Sequence, residues 1–198
     1  MDSLPDNVLA ALPPSLREAA VAFFEQFALP DELACAALPH LARLVACSEY
    51  AARVLQRERR WFIDALSKGW LDRDRFEATL AGLELDDAAS WQELQRALRV
   101  FRNRQLVTIL WREIKGETTI EDTLVDLSGL ADVLVQAAAK QATAAVRRRF
   151  GDVVGVDGRR ARFIVLAMGK LGGHELNFSS DVDLIFLYDA DGNSDGDR

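Results

Sequence analysis

Apolar residues return at helical spacing over most of the chain up to Phe150. Pro13-Pro14-Ser15 introduces such a run from Leu16 to Phe27, with Ser15 placed as N-cap and Glu18 three residues on to complete a capping box. Pro30 and Pro39 are expected to divide the next stretch into short helices, because proline ends or kinks a helix. Ser48 can cap a segment carrying Tyr50, Val54, Leu55, Trp61 and Phe62. Another short helix is expected from Asp72 to Leu83, with Leu85-Asp86-Asp87 as a connection. A long helix follows from about Ser90 to Lys115. Leu94, Leu98 and Phe101 form its first stripe, and Val107, Leu110, Trp111 and Ile114 thicken it, with Gly116 as its stop. A second long helix spans Thr119 to Phe150, with Leu124, Leu127, Leu130, Ala131, Leu134 and Ala138 on its buried side.

The period then changes. Gly151 to Gly158 is turn-rich, with Val153-Val154 as a short strand. Arg162 to Met168 reads as a buried strand, Gly169 to Ser180 as a glycine-containing loop, and Asp181 to Tyr188 as a second strand. Asp189 to Arg198 reads as an acidic tail without periodicity. The pattern specifies an α+β chain: a mostly α-helical body over residues 1–118, leading into the beginning of an α/β domain over 119–198. Two or three strands beside one helix leave a sheet edge and an apolar face uncovered, so the α/β part is expected to be truncated.

Composition narrows the function classes. The chain has 198 residues, is 49% hydrophobic and carries a net charge of −7, which argues against a broad electrostatic nucleic-acid binder. Cys35 and Cys47 fit no common zinc spacing, with only His40 close to both, and read as unpaired core thiols in a reducing compartment. The acidic start, Met1 to Asp6, lacks the basic and apolar regions of a signal peptide, and no apolar stretch is long enough to span a bilayer. A soluble, cytoplasmic protein is expected, with neither membrane nor nucleic acid as partner.

The stretch from Gly169 to Leu184 carries the candidate chemistry. On a strand, Asp181 and Asp183 would share one face while Val182, Leu184 and Phe186 share the other. Their backbones would stand roughly 6.5 Å apart, close enough for both carboxylates to converge on Mg²⁺, with water and nucleotide phosphates completing its octahedron. Gly172-Gly173 can let backbone N–H groups approach a phosphate, and Ser179 and Ser180 can add hydroxyl donors. Lys170 either offers charge or faces solvent. A second reading stands beside this one: Gly172-Gly173 as a plain turn, and Asp181 and Asp183 as the solvated face of an edge strand. Adjacent carboxylates repel each other, an objection that a bound metal removes. A glycine-rich turn followed by a strand bearing Asp-x-Asp matches the nucleotidyltransferase superfamily pattern.

Gly169-Lys170-Leu171-Gly172-Gly173, with Glu175-Leu176-Asn177-Phe178-Ser179-Ser180-Asp181 and Asp183-Leu184, resembles the N-terminal catalytic motif of the bifunctional glutamine synthetase adenylyltransferase/adenylyl-removing enzymes. The second catalytic copy in that family typically reads Glu-Leu-Gly-Tyr-Gly-Ser-Asp, so the resemblance is to the adenylyl-removing half. Leu98 to Leu106, Leu110 to Ile114 and Thr118 to Asp132 are also similar to the family's helices. The resemblance implies a polymerase-beta-like nucleotidyltransferase fold and Mg²⁺-dependent phosphorolysis of adenylyl-tyrosine on glutamine synthetase, regulating nitrogen assimilation. Inorganic phosphate and the nucleotide (ADP, or ATP for the opposite half) would be the substrates. Adenylylated glutamine synthetase would be the partner, with a nitrogen-signal regulatory protein acting on the full-length enzyme. Asp181 and Asp183 would be catalytic and metal-binding, and Lys170, Gly172, Gly173, Ser179 and Ser180 would contact the nucleotide. The superfamily's third carboxylate comes from a later strand, so this chain is expected to be incomplete as a catalyst. Two alternatives remain: another nucleotidyltransferase, and a helical partner-binding module without activity.

Other features have plainer readings. Asp189, Asp191, Asp195 and Asp197 suggest a calcium loop, but Ser194 stands where that loop needs glycine. Arg96, Arg99, Arg102, Arg104 and Arg112 either contact a phosphate or partner, or pair with acids while their stems cover apolar surface. Arg147-Arg148-Arg149 complements a helix dipole. His174 reads as exposed and not catalytic, and Trp61, Trp70, Trp91 and Trp111 as core or packing residues.

Overall fold

The helical periodicity is realised in the computed structural model, which describes residues 4–72, 91–156, 158–194 and 196. Its helices are α1 (Asp6–Ala10), α2 (Pro14–Phe24), α3 (Asp31–Cys47), α4 (Glu49–Arg57), α5 (Arg59–Ser67), α6 (Trp91–Lys115) and α7 (Ile120–Phe150). Strands β1 (Val153–Gly155) and β2 (Phe163–Ala167), the single turn α8 (Gly169–Gly172), and strands β3 (Leu184–Tyr188) and β4 (Gly192–Ser194) complete an α+β chain. The helix expected to end at Leu83, the connection at 85–87 and the expected start at Ser90 fall outside the described residues. Among the described residues no helix is long and apolar enough to cross a membrane.

Two compact units share the chain: Met1–Arg75 with Val100–Thr123, and Phe76–Arg99 with Leu124–Arg198. In the first, prolines start helices. α2 follows Pro13 and has Pro14 in its first turn, with no side-chain cap bond. Ser15 therefore lies inside the helix and is not its cap, because the fixed φ and missing N–H of Pro14 suit the first helical position. Pro39 does not divide α3, which runs continuously through it for 17 residues. An interior proline costs about 3 kcal/mol or more, but Leu41, Ala42 and Leu44 are completely buried around it. Each fully buried Leu or Val side chain returns about 1.5–3 kcal/mol, so burial outweighs the lost bond.

Ser48 caps α4 as its type suggests, its Oγ accepting the Ala51 N–H at 3.1 Å. The core gathers an aromatic chain: Phe27 lies 4.7 Å from Phe23 and 6.2 Å from Phe62, and Phe62 lies 5.7 Å from Trp111 between ring centroids. Phe62 is 0% exposed. Trp61 packs at the edge of this core, with the Arg104 guanidinium 5.4 Å from its ring and Arg104 Nε 2.9 Å from Glu58 Oε2. For Arg104, pairing and stem coverage are thus the structural role. Trp70 and Trp91 are not core residues, at 43% and 52% exposed; Trp70 instead lies under the Lys68 ammonium, 4.4 Å away. Cys35 and Cys47 are free but exposed, contrary to a core position. α3 buries the stripe Leu38, Leu41, Ala42 and Val45; Cys47 falls off it, whereas Cys35 shares the face of Leu38 and Ala42 but lies near the helix start, before the buried stripe begins.

α7 begins with a reciprocal cap. Thr119 N–H and Thr119 Oγ1 both donate to Asp122 Oδ2 at 2.9 Å, and the Asp122 N–H donates to Thr119 Oγ1 at 3.1 Å.

In the second unit, Leu127 and Leu130 of α7 are buried, while Leu124, Ala131, Leu134 and Ala138 are half-buried. Beyond the helix end, Arg147 pairs with Asp152 at 2.7 Å, a role additional to the dipole. β2 and β3 pair antiparallel from Phe163 opposite Tyr188 to Ala167 opposite Leu184. β1 pairs antiparallel with β4, Val153 opposite Ser194. The tail is therefore not wholly irregular. Asp189 secures the turn into it, its two carboxylate oxygens accepting the Arg162 N–H at 2.6 Å and Arg162 Nε at 2.7 Å. Asp195 and Asp197 lie outside the described residues.

Candidate functional site

The glycine-containing loop joins the ends of β2 and β3. The ladder continues one step past β2, with the Met168 N–H donating to Asp183 O at 2.9 Å. Gly169 then adopts φ +55 and turns the chain into α8. Nothing extended remains opposite Val182 and Asp181, so β3 begins at Leu184 and not at Asp181. The two carboxylates accordingly sit in the approach to the strand, and strict strand alternation does not set their directions. Both are exposed. A β-carbon built on Gly169 would lie 3.9 Å from Asp183 Oδ2, which puts the Asp183 carboxylate beside the turn.

Gly172 and Gly173 serve the turn itself. Their N–H groups donate to Met168 O at 3.2 Å and to Gly169 O at 3.1 Å, so they do not point freely at a phosphate as the sequence suggests. Gly172 is there for space: a β-carbon on it would stand 2.6 Å from Ala167 O. Leu171 turns inward and is buried, while the Lys170 side chain is exposed. Lys170 O accepts the Glu175 N–H at 2.7 Å, closing the turn. His174 is exposed and takes φ +56 at the corner.

Ser179 and Ser180 are likewise engaged. Asn177 Oδ1 accepts Ser179 N–H and Ser179 Oγ at 3.1 Å each, and Ser180 Oγ at 2.7 Å. The Asn177 N–H in turn donates to Ser180 Oγ at 3.2 Å. The hydroxyl protons expected to reach a ligand are thus directed to Asn177, leaving the oxygens with acceptor capacity only. Asn177 is a residue to which sequence reasoning gave no role, although Asn followed two residues later by Ser is a recognisable side-chain turn signal. Ser128 is another: its hydroxyl, on α7, receives the Leu176 N–H at 3.1 Å.

The donor chemistry at Asp181 and Asp183 fits Mg²⁺, which takes one or two protein carboxylates and leaves its other positions to water and phosphate oxygens. Their exposure leaves room for those ligands. Among the described residues no three His, Cys, Asp or Glu side chains come together as a metal group. A groove of about 810 Å³ along α7 has Val135, Ala139, Phe163, Val165 and Leu184 on its floor; Asp181, Asp183 and the loop serines do not line it.

Residues 38–198 match the glutamate-ammonia ligase adenylyltransferase family. The chain is 38% identical to the bifunctional glutamine synthetase adenylyltransferase/adenylyl-removing enzyme of Thioalkalivibrio sulfidiphilus, over 100% of this chain and 21% of that protein. With the enzyme of the same description from Shewanella woodyi the identity is 37%, over 86% of this chain and 18% of that one. With that of Pseudomonas aeruginosa it is 34%, over 98% and 21%. The chain spans about a fifth of the length of these relatives. On the family match and on identities of this size along its length, the chain belongs to the glutamate-ammonia ligase adenylyltransferase family.

Proposed function

We propose that this chain carries the adenylyl-removing catalytic motif of its family, within a helical region over 1–118 and the first part of a polymerase-beta-like nucleotidyltransferase domain over 119–198. The observation that carries the reading is the placement of exposed Asp183 beside the Gly169 turn, with exposed Asp181 two residues before it. The substrate would be the adenylylated tyrosine of glutamine synthetase. Oxygen of inorganic phosphate attacks the tyrosyl-linked phosphorus, the phosphorus–phenolic oxygen bond breaks, ADP forms, and the phenolate takes up a proton. Mg²⁺, when bound, neutralises charge on the phosphate oxygens.

Asp181 and Asp183 would hold that ion. The Asn177 network holds the loop that delivers them, and positioning of this kind is what phosphoryl-group transfer asks of a protein. Lys170, exposed on α8, supplies a positive charge near the incoming anion.

The test is phosphate-dependent ADP release from adenylylated glutamine synthetase with Mg²⁺ present. It compares this chain, a version continued along its relatives' length, and that version with Asp181→Asn. Release by the continued protein, lost on the substitution, is the expected result. A continued protein that adenylylates the synthetase but never releases ADP would overturn the adenylyl-removing assignment.

A further inference from the structure

Ser128 is the only polar side chain among the completely buried residues of the described core, at 0% exposed. A mid-helix serine normally turns its hydroxyl back to the carbonyl one turn earlier, and this one does, donating to Leu124 O at 2.8 Å. Its remaining capacity as an acceptor is directed across 48 positions of sequence to the Leu176 N–H, 3.1 Å away. Leu176 is itself buried, at 7% exposed. Its N–H would lack a partner without the hydroxyl, and a buried unpaired donor is costly. Leu176 directly precedes Asn177, whose side chain organises Ser179 and Ser180 ahead of Asp181. One buried hydroxyl therefore ties the loop that carries the carboxylates to α7.

We propose that Ser128 is a positioning residue for the Asp181–Asp183 metal site, acting by fixing the Leu176 backbone to α7. The inference rests on the proposed function for the identity of the site, and on the Ser128–Leu176 bond for the mechanism. Loss of the hydroxyl frees Leu176 to move and spreads the positions that Asp181 and Asp183 sample. Loss of a partner that orients metal ligands typically weakens affinity about 10- to 100-fold.

The test follows amide hydrogen exchange at Leu176 together with Mn²⁺ affinity, using Mn²⁺ as a paramagnetic probe, in the chain, Ser128→Ala, Ser128→Thr and Asp181→Asn. In the unsubstituted chain the Leu176 amide should exchange at least about tenfold more slowly than that of exposed Phe178. Equal rates would overturn the anchor whether or not any variant folds. Ser128→Ala should speed Leu176 exchange about tenfold and raise the Mn²⁺ dissociation constant at least about tenfold. Ser128→Thr, which keeps the hydroxyl, should restore both. Mn²⁺ binding that depends on Asp181 but is unchanged in Ser128→Ala would overturn the positioning role alone. Absence of Asp181-dependent binding, with Leu176 still protected, would overturn the reading of the site and the role built on it, while leaving the anchor as architecture.

Discussion

Gly172 and Gly173 are adjacent and chemically identical, yet the structure predicts opposite outcomes when each becomes alanine. At Gly172 the new carbon would stand 2.6 Å from Ala167 O and 3.3 Å from the carbonyl carbon. Both atoms are backbone, at the last residue of β2, so neither can swing aside as a side-chain tip would. Relief requires α8 to lift from the end of β2, and overpacking of this kind costs about 1–3 kcal/mol. At Gly173 the nearest atom would be Gly169 O at 3.6 Å, an ordinary contact, and its φ of −88 is open to any residue. Alanine there narrows the unfolded ensemble and should stabilise by about 0.4–1 kcal/mol. Hydrogen exchange of the β2–β3 ladder and of Met168, next to the strained turn, reads both effects. Gly172→Ala should speed it about 5- to 150-fold and Gly173→Ala should slow it by a few-fold. Equal effects from the two alanines, or greater damage from Gly173→Ala, would refute the close-approach argument.

Phe62→Ala should destabilise the helical unit by about 3–5 kcal/mol, because it opens a cavity between Phe27 and Trp111. Urea unfolding followed by tryptophan fluorescence measures this, and a loss below about 1 kcal/mol would contradict the burial. Asp122 is held below the ordinary carboxylate range by the Thr119 N–H and then by the Thr119 hydroxyl. Since its folded value lies under its unfolded one, its contribution is full above pH about 4 and is lost as pH falls through the lowered folded value. An NMR titration of the Asp122 carboxylate should find a depressed midpoint; a midpoint at or above about 4 would refute the cap.

The long helices were legible because a repeating apolar stripe is a property of many residues, and no single misreading removes it. Ser48 was legible as a cap because its partner lies three residues away. Pro39 was misread because local propensity argues for a break, whereas the burial that overrides it involves residues from other helices. The start of β3 was misplaced for a similar reason: composition makes Asp181 to Tyr188 look uniform, but pairing stops where Gly169 turns the opposite strand away. Ser128 could not be read at all, since its partner is 48 positions distant. Asp181 and Asp183 stand out in the sequence only together with the glycine turn before them and the apolar strands on either side, while the engagement of Ser179 and Ser180 with Asn177 is a matter of side-chain geometry within a motif that looks like a row of ligand donors.

The β2–β3 hairpin has a colloidal consequence. Among the described residues each of its strands has only the other as ladder partner. Phe163, Leu166, Ile185, Phe186, Leu187 and Tyr188 all remain exposed on it. Two unpaired edges flanked by bare apolar surface form a template on which a second copy can add as a further strand. What opposes that encounter is the long-range repulsion between copies that each carry a net charge of −7. The repulsion reaches about 30 Å at 0.01 M salt but only about 8 Å at 0.15 M. Added salt should therefore lower this chain's solubility and promote strand-to-strand growth, so that the ionic strength of the buffer governs whether it stays dispersed.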